Sequence, residues 1–153
     1  MISERDPILD FLSQMHLAVW ENCPLWELPR GSTDIYSRHR RVVHGPWPAE
    51  SCAAVQRLWF RTGWVGLYYP TLPAQWNLVV ASWRERTAAD GTLGSADAEE
   101  LLAHTERWVL GMDDGHVELF LTDEGHAEPW EQWYDTALPL VSTLDLTVAS
   151  ENR

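Results

Sequence analysis

Ten tryptophans are spread along the whole of a 153-residue chain, and they constrain its fold more than any other feature. Each indole can bury roughly 150–250 Å², so a chain of this length that turns most of them inward builds its interior around them. Buried aromatics are far commoner than exposed ones, and the core reading is preferred. The alternative is that a few line a binding face, where Trp is enriched among energetic anchors. The length fits one compact domain, residues 1–153, and leaves little material for a second core. An apolar content of 45% with 11% aromatics argues against wholesale disorder.

Charge divides this domain unevenly. Residues 1–86 hold nine Arg against eight acidic residues, a net of +1, whereas residues 87–153 hold two Arg (Arg107, Arg153) against fifteen Asp and Glu, a net of −13. Lysine is absent, and the complete use of Arg in its place, with abundant Ala and Trp, points to a GC-rich bacterial genome. If the acidic part projects its carboxylates outward as a continuous anionic surface, it repels phosphate backbones and attracts basic surfaces. Met1 to Asp6 lack the basic and apolar regions of a signal peptide. No run approaches the roughly 18 apolar residues of a membrane span. Cys23 and Cys52 lie far apart and outside any Cys-x-x-Cys pair, which favours free thiols in a reducing compartment. The expectation is a cytoplasmic protein that enters no membrane.

Periodicity gives the elements. Asp6-Pro7 caps a helix whose stripe of Ile8, Leu12, Met15, Val19 and Cys23 stops at Pro24. Residues 24–47, interrupted by prolines and two glycines, read mostly as loop with a short strand near Val42 and Val43. Pro48 opens a second helix to about Thr62, with Gly63 at its C-cap, and Trp64 to Tyr69 reads as a strand stopped by Pro70. Trp76, Val79, Val80 and Trp83 favour a helix over 74–86, although a buried strand also fits. Ser95 caps a helix to about Arg107. Trp108 to Met112 and His116 to Thr122 flank Asp113-Asp114-Gly115, a hairpin signal. Pro129 opens a short helix with Trp130, Trp133, Tyr134 and Ala137, and Leu144, Leu146 and Val148 alternate as a half-buried strand. The predicted class is α+β: a small, mainly antiparallel sheet packed with four or five helices. Residues 49–70 and 96–122 share one order of helix, Trp, glycine turn and strand, but so few identities favour chance over a repeat.

The segment Val117-Glu118-Leu119-Phe120-Leu121-Thr122-Asp123-Glu124-Gly125 resembles the second wing strand of winged-helix transcription factors of the MarR type. In that family the hairpin ends in a Leu-Thr-acidic-acidic-Gly run before a long helix. The resemblance implies a winged-helix-like helix–hairpin unit over residues 95–126. Its turn bears Asp113 and Asp114 in place of the basic residue that such a wing presents to phosphate, and its helix carries Asp97, Glu99, Glu100 and Glu106. DNA binding draws most of its affinity from neutralised phosphates, so this face is not expected to bind DNA.

Chemistry-bearing motifs are few. Asp113-Asp114-Gly115-His116 and Asp123-Glu124-Gly125-His126 repeat at a spacing of ten. An extended strand of that length separates them by up to ~33 Å, and they read as two acidic turns. His116 and Glu118 share a face without a third ligand, so no metal site is assigned. There is no Gly-x-Ser-x-Gly elbow, and the absence of Lys removes P-loop and Schiff-base chemistry in their usual forms. No catalytic residue and no cofactor is assigned.

Three functions remain. The preferred one is a non-enzymatic inhibitor, immunity-type or regulatory protein that covers a basic protein surface with Asp113, Asp114, Glu118, Asp123, Glu124, Glu128, Glu131 and Asp135, flanked by Trp130 and Trp133. The second is a winged-helix-like regulator that binds anions or DNA through Arg38, Arg40 and Arg41, in the basic stretch Tyr36 to His44. That stretch reads more simply as a surface loop offsetting the acidic part, within one chain or across a homodimer. The third is an enzyme or ligand-binding protein with a pocket lined by Trp64, Tyr68, Tyr69 and Trp76, using His39 or His44 as acid or base. The sequence names neither the partner nor the oligomeric state.

Overall fold

The computed structural model describes residues 6–70 and 91–148. The helix expected over 74–86 lies outside the described residues.

The first helix starts where its cap predicts. The Asp6 carboxylate accepts the Ile8 and Leu9 amides at 3.0 and 3.4 Å, with Pro7 in the first turn, and opens α1 (Pro7–Trp20). Phe11, Leu12, Met15, Ala18 and Val19 form its buried side. Past Asn22, at φ 54°, the chain turns back. The Leu119 amide then donates to the Cys23 carbonyl at 3.1 Å, and the Leu25 amide to the Val117 carbonyl at 2.9 Å.

The short strand expected near Val42 and Val43 is present, but residues 32–37, expected as loop, form a second strand that makes residues 32–44 a hairpin. Strands β1 (Ser32–Ser37) and β2 (Arg40–His44) pair antiparallel from Ser32↔His44 outward, with an irregularity between Ile35 and Ser37. Gly31 (φ 76°) and Gly45 (φ 80°) close its base, where a Cβ on Gly31 would stand 2.0 Å from the His44 carbonyl oxygen. The chain re-enters the core at Trp47, whose ring meets Phe11 edge-on at 5.4 Å.

Helix α2 (Ala49–Thr62) buries Cys52, Val55, Gln56 and Trp59 and ends on Gly63 at φ 98°, a left-handed conformation that favours glycine. Strand β3 (Val65–Tyr68) follows and pairs antiparallel with β4 (Glu118–Leu121), from Val65↔Leu121 to Tyr68↔Glu118. Every residue of both strands is buried. At Gly66 the Phe120 ring lies across the backbone, and a Cβ there would stand 2.2 Å from Phe120 Cζ. Bridges at Pro24↔Glu118 and Tyr68↔Thr92 widen the sheet. Helices α3 (Ser95–Ala103), α4 (Asp123–Ala127) and α5 (Trp130–Val141) complete a compact α+β fold with five described α-helices.

Indoles fill the centre, as the preferred reading of the tryptophans expects. Trp47, Trp59, Trp64, Trp108 and Trp133 are buried. The Trp59 and Trp133 rings meet nearly perpendicular at 4.9 Å, and the Trp59 indole N–H donates to the Trp133 carbonyl at 3.2 Å.

The structure replaces the expected hairpin around Asp113-Asp114-Gly115 with a 3-10 turn over Asp113–His116. Arg107 Nε donates to the Asp114 carboxylate at 2.7 Å. Gly115 presses so closely on Val109 that a Cβ would stand 2.1 Å from that residue's carbonyl oxygen. Trp108 does not begin a strand; its indole plugs the core and donates to the Leu101 carbonyl at 2.9 Å. Because β4 takes β3 as its partner, the winged-helix-like unit over 95–126 does not form. Residues 144–148 keep part of the expected alternation, with Leu144 and Leu146 half-buried, but join no described strand.

Candidate functional site

The acidic residues of α4 and α5 are turned outward by what lies beneath them. Thr122 accepts the Gly125 amide at 3.0 Å and donates to the Gly63 carbonyl at 2.6 Å, seating α4 on the end of α2. Gly125 lies against Trp64, where a Cβ would stand 2.4 Å from the Trp64 carbonyl oxygen. Asp123 and Glu124, in the first turn, face water. In α5 the buried residues are Trp133, Ala137 and Val141. Glu131 and Asp135, four residues apart, therefore share the opposite, exposed face. Half-buried Glu128 precedes them. Glu124, Glu128, Glu131 and Asp135 form no ion pair with a described residue, and neither helix contains an Arg.

An aromatic strip borders this ridge. Trp20 is 47% exposed and lies 5.3 Å from the His126 ring. Its indole N–H donates to His16 Nε2 at 3.2 Å, and the His16 ring stands 5.1 Å from Trp130 and 4.6 Å from Trp133. Burial holds the His16 pKa below its ordinary value, which suits a neutral ring accepting an indole hydrogen. Trp130 is half-buried and continues to Tyr134 at 5.8 Å. Sequence reasoning missed His16 and Trp20; their spacing of four on α1 was the available signal.

The ten residues expected to meet a partner fall into three groups. Asp123, Glu124, Glu128, Glu131, Asp135 and Trp130 lie together on α4–α5. Asp113 and Asp114 belong to a separate turn, where Asp113 accepts from the Tyr69 hydroxyl at 3.2 Å and Asp114 holds Arg107. Glu118 and Trp133 leave the surface altogether. Glu118 is 6% exposed on β4 and accepts a hydrogen bond from Tyr68, and Trp133 is fully buried.

Nor is the anionic surface continuous. Glu99 is held by Arg57 and Arg61 at 3.0 and 2.8 Å, and the Arg61 hydrogen bond, with Arg57 beside it, keeps its carboxyl below the usual range. Glu124, Glu128, Glu131 and Asp135 are one group of carboxylates without an ion pair among the described residues; Asp97, Glu106 and Asp145 are others.

Arg38, Arg40 and Arg41 stand exposed on the hairpin. Arg40 lies over the Tyr36 ring at 5.3 Å. His44 is buried, with its Nδ1 2.6 Å from Asp10 and its Nε2 2.8 Å from Asp34. The aromatic pocket does not assemble from Trp64 and Tyr68, which are core residues, and Trp76 lies outside the described residues. A cleft of about 140 Å³ opens beside the hairpin base, between Met15, Glu21, Cys23, Glu27 and Trp47. Burial, then Glu27, pushes the Cys23 thiol up, and burial pushes Cys52 up to about 12, so neither thiol supplies a ready thiolate nucleophile. Among the described residues no group of three His, Cys, Asp or Glu side chains is placed to hold a metal ion, and no helix is long and apolar enough to cross a membrane. No family model, curated protein or solved structure matches the chain.

Proposed function

We propose that the chain is a non-enzymatic binding protein, of the inhibitor, immunity or regulatory kind, that covers a basic protein surface with its α4–α5 face. The observation that carries this reading is the ridge of Glu124, Glu128, Glu131 and Asp135, which has no cationic partner among the described residues, beside the exposed Trp20 ring. Opposite charge speeds encounter, and a half-exposed indole at the border of a charged face supplies residence time. Affinity capture from the native lysate tests it, comparing the wild type with the Glu128→Gln, Glu131→Gln, Asp135→Asn triple variant. The expected result is a basic protein retained by the wild type at low salt and lost both at high salt and in the variant. Identical capture by both proteins, or none that is salt-sensitive, overturns the reading.

A further inference from the structure

The β1–β2 hairpin projects charge of the opposite sign from the rest of the surface. Apart from buried His44 and half-buried Val42, its residues are exposed, including Ile35 at 67% and Tyr36 at 62%. Arg38, Arg40 and Arg41 form no ion pair with a described carboxylate. A bare two-stranded ribbon is marginal by itself, but this one is secured at its root. His44 joins β2 to Asp10 of α1 and to Asp34 of β1, and the Trp47 amide donates to the Pro29 carbonyl at 2.9 Å. Arginine and tyrosine beside an exposed isoleucine make the composition of a protein interface. A surface that reads only phosphate has no use for Ile35.

The complementary surface is the α4–α5 ridge, to which the hairpin arginines form no ion pair within one molecule. The hairpin is fastened at Asp10, near the start of α1, and α4 touches Trp20 at its end. These anchor points are ten helical residues, ~15 Å, apart along α1.

We propose that two copies of the chain associate reciprocally, the hairpin of each lying on the α4–α5 ridge of the other. Arg38, Arg40 and Arg41 face Glu128, Glu131 and Asp135, and Ile35 and Tyr36 pack toward the aromatic strip. Reciprocity closes the assembly as a two-fold dimer. This inference rests on reading α4–α5 as a contact surface, and names a second copy as a partner for it.

Sedimentation equilibrium decides it, with two charge-reversed proteins: Arg38→Glu, Arg40→Glu, Arg41→Glu in the hairpin, and Glu128→Arg, Glu131→Arg, Asp135→Arg in the ridge. Circular dichroism melts establish that both fold; if either does not, the neutral variants Arg38→Gln, Arg40→Gln, Arg41→Gln and Glu128→Gln, Glu131→Gln, Asp135→Asn are each tested alone for loss of the dimer, without the mixture. The wild type is expected at twice 17.6 kDa in low salt, falling to the single mass in high salt. Each variant alone is expected at the single mass, and an equimolar mixture of the two at twice that mass, because each reversed surface then meets its opposite. A monomeric wild type, a dimer indifferent to both variants, or a mixture that stays monomeric overturns the proposal. So does a monomeric wild type that retards duplex DNA in a gel through the three arginines, which assigns the hairpin to phosphate. The hairpin variant retains the native ridge, so its salt-sensitive capture of a foreign basic protein, with no self-association in the wild type, rejects the dimer while leaving the broader reading intact.

Discussion

His44 Nδ1 lies 2.6 Å from the Asp10 carboxylate, a link that spans from the second hairpin strand to the first turn of α1. With Asp34 at the other ring nitrogen, 2.8 Å away, one buried imidazole fastens both strands to the body. His44→Ala is expected to lower stability by about 1–3 kcal/mol. It should also loosen the hairpin more than the core. Limited trypsin digestion reads this directly: cleavage at Arg38, Arg40 or Arg41 should accelerate well before cleavage at Arg57.

Gly66 and Phe120 are matched by absence and presence of a side chain. Gly66→Ala forces the Phe120 ring out of a position 2.2 Å from the new methyl, and such overpacking costs about 1–3 kcal/mol. Urea denaturation should show the lower midpoint. Pairing the change with Phe120→Leu should cost less than the sum of the two single substitutions, because the crowding is then relieved.

Trp133 and Trp20 separate core from surface. Trp133→Ala should cost about 3–5 kcal/mol, as for other large-to-small core replacements. Trp20→Ala, with nearly half its surface already in water, should cost no more than about 1.5 kcal/mol. It should nevertheless weaken capture of a basic partner. A Trp20→Ala protein that keeps full capture removes that indole from the contact surface.

His16 makes stability depend on pH in one direction. Burial holds its folded pKa below the ordinary value, so the unfolded chain takes up the proton first as pH falls. The stabilisation is complete above about pH 6.5, the unfolded value, and is lost as pH falls from there through the folded pKa. Thermal melts between pH 5 and pH 8 should show a smaller acid-side loss for His16→Phe than for the wild type.

What the sequence made legible follows from where alternation and caps are visible. α1 and α2 could be placed because Asp6-Pro7 and Gly63 punctuate amphipathic stripes. β3 was readable from its aromatic and β-branched run, and the acidic face of α5 from Glu131 and Asp135 one turn apart. A strand at Val42 and Val43 was readable, but its partner β1 was hidden because every residue of it meets water, which erases the period-two pattern, and because the turn at Arg38-His39 lacks the glycine or asparagine that marks most tight turns. Asp113-Asp114-Gly115 misled for the complementary reason: the same residues suit a 3-10 turn held by Arg107. Glu118 could not be recognised as buried, since its partner Tyr68 comes from a strand fifty residues earlier. The His44 link likewise joins residues 34 positions apart, beyond the reach of local pattern.

Two native cysteines that hold their protons tightly make the molecule convenient to label. Burial raises the Cys52 thiol to about 12 and pushes Cys23 in the same direction, so neither offers a ready thiolate. A maleimide dye offered to an Arg38→Cys protein should therefore attach at the ribbon tip without the native sulfurs first being removed.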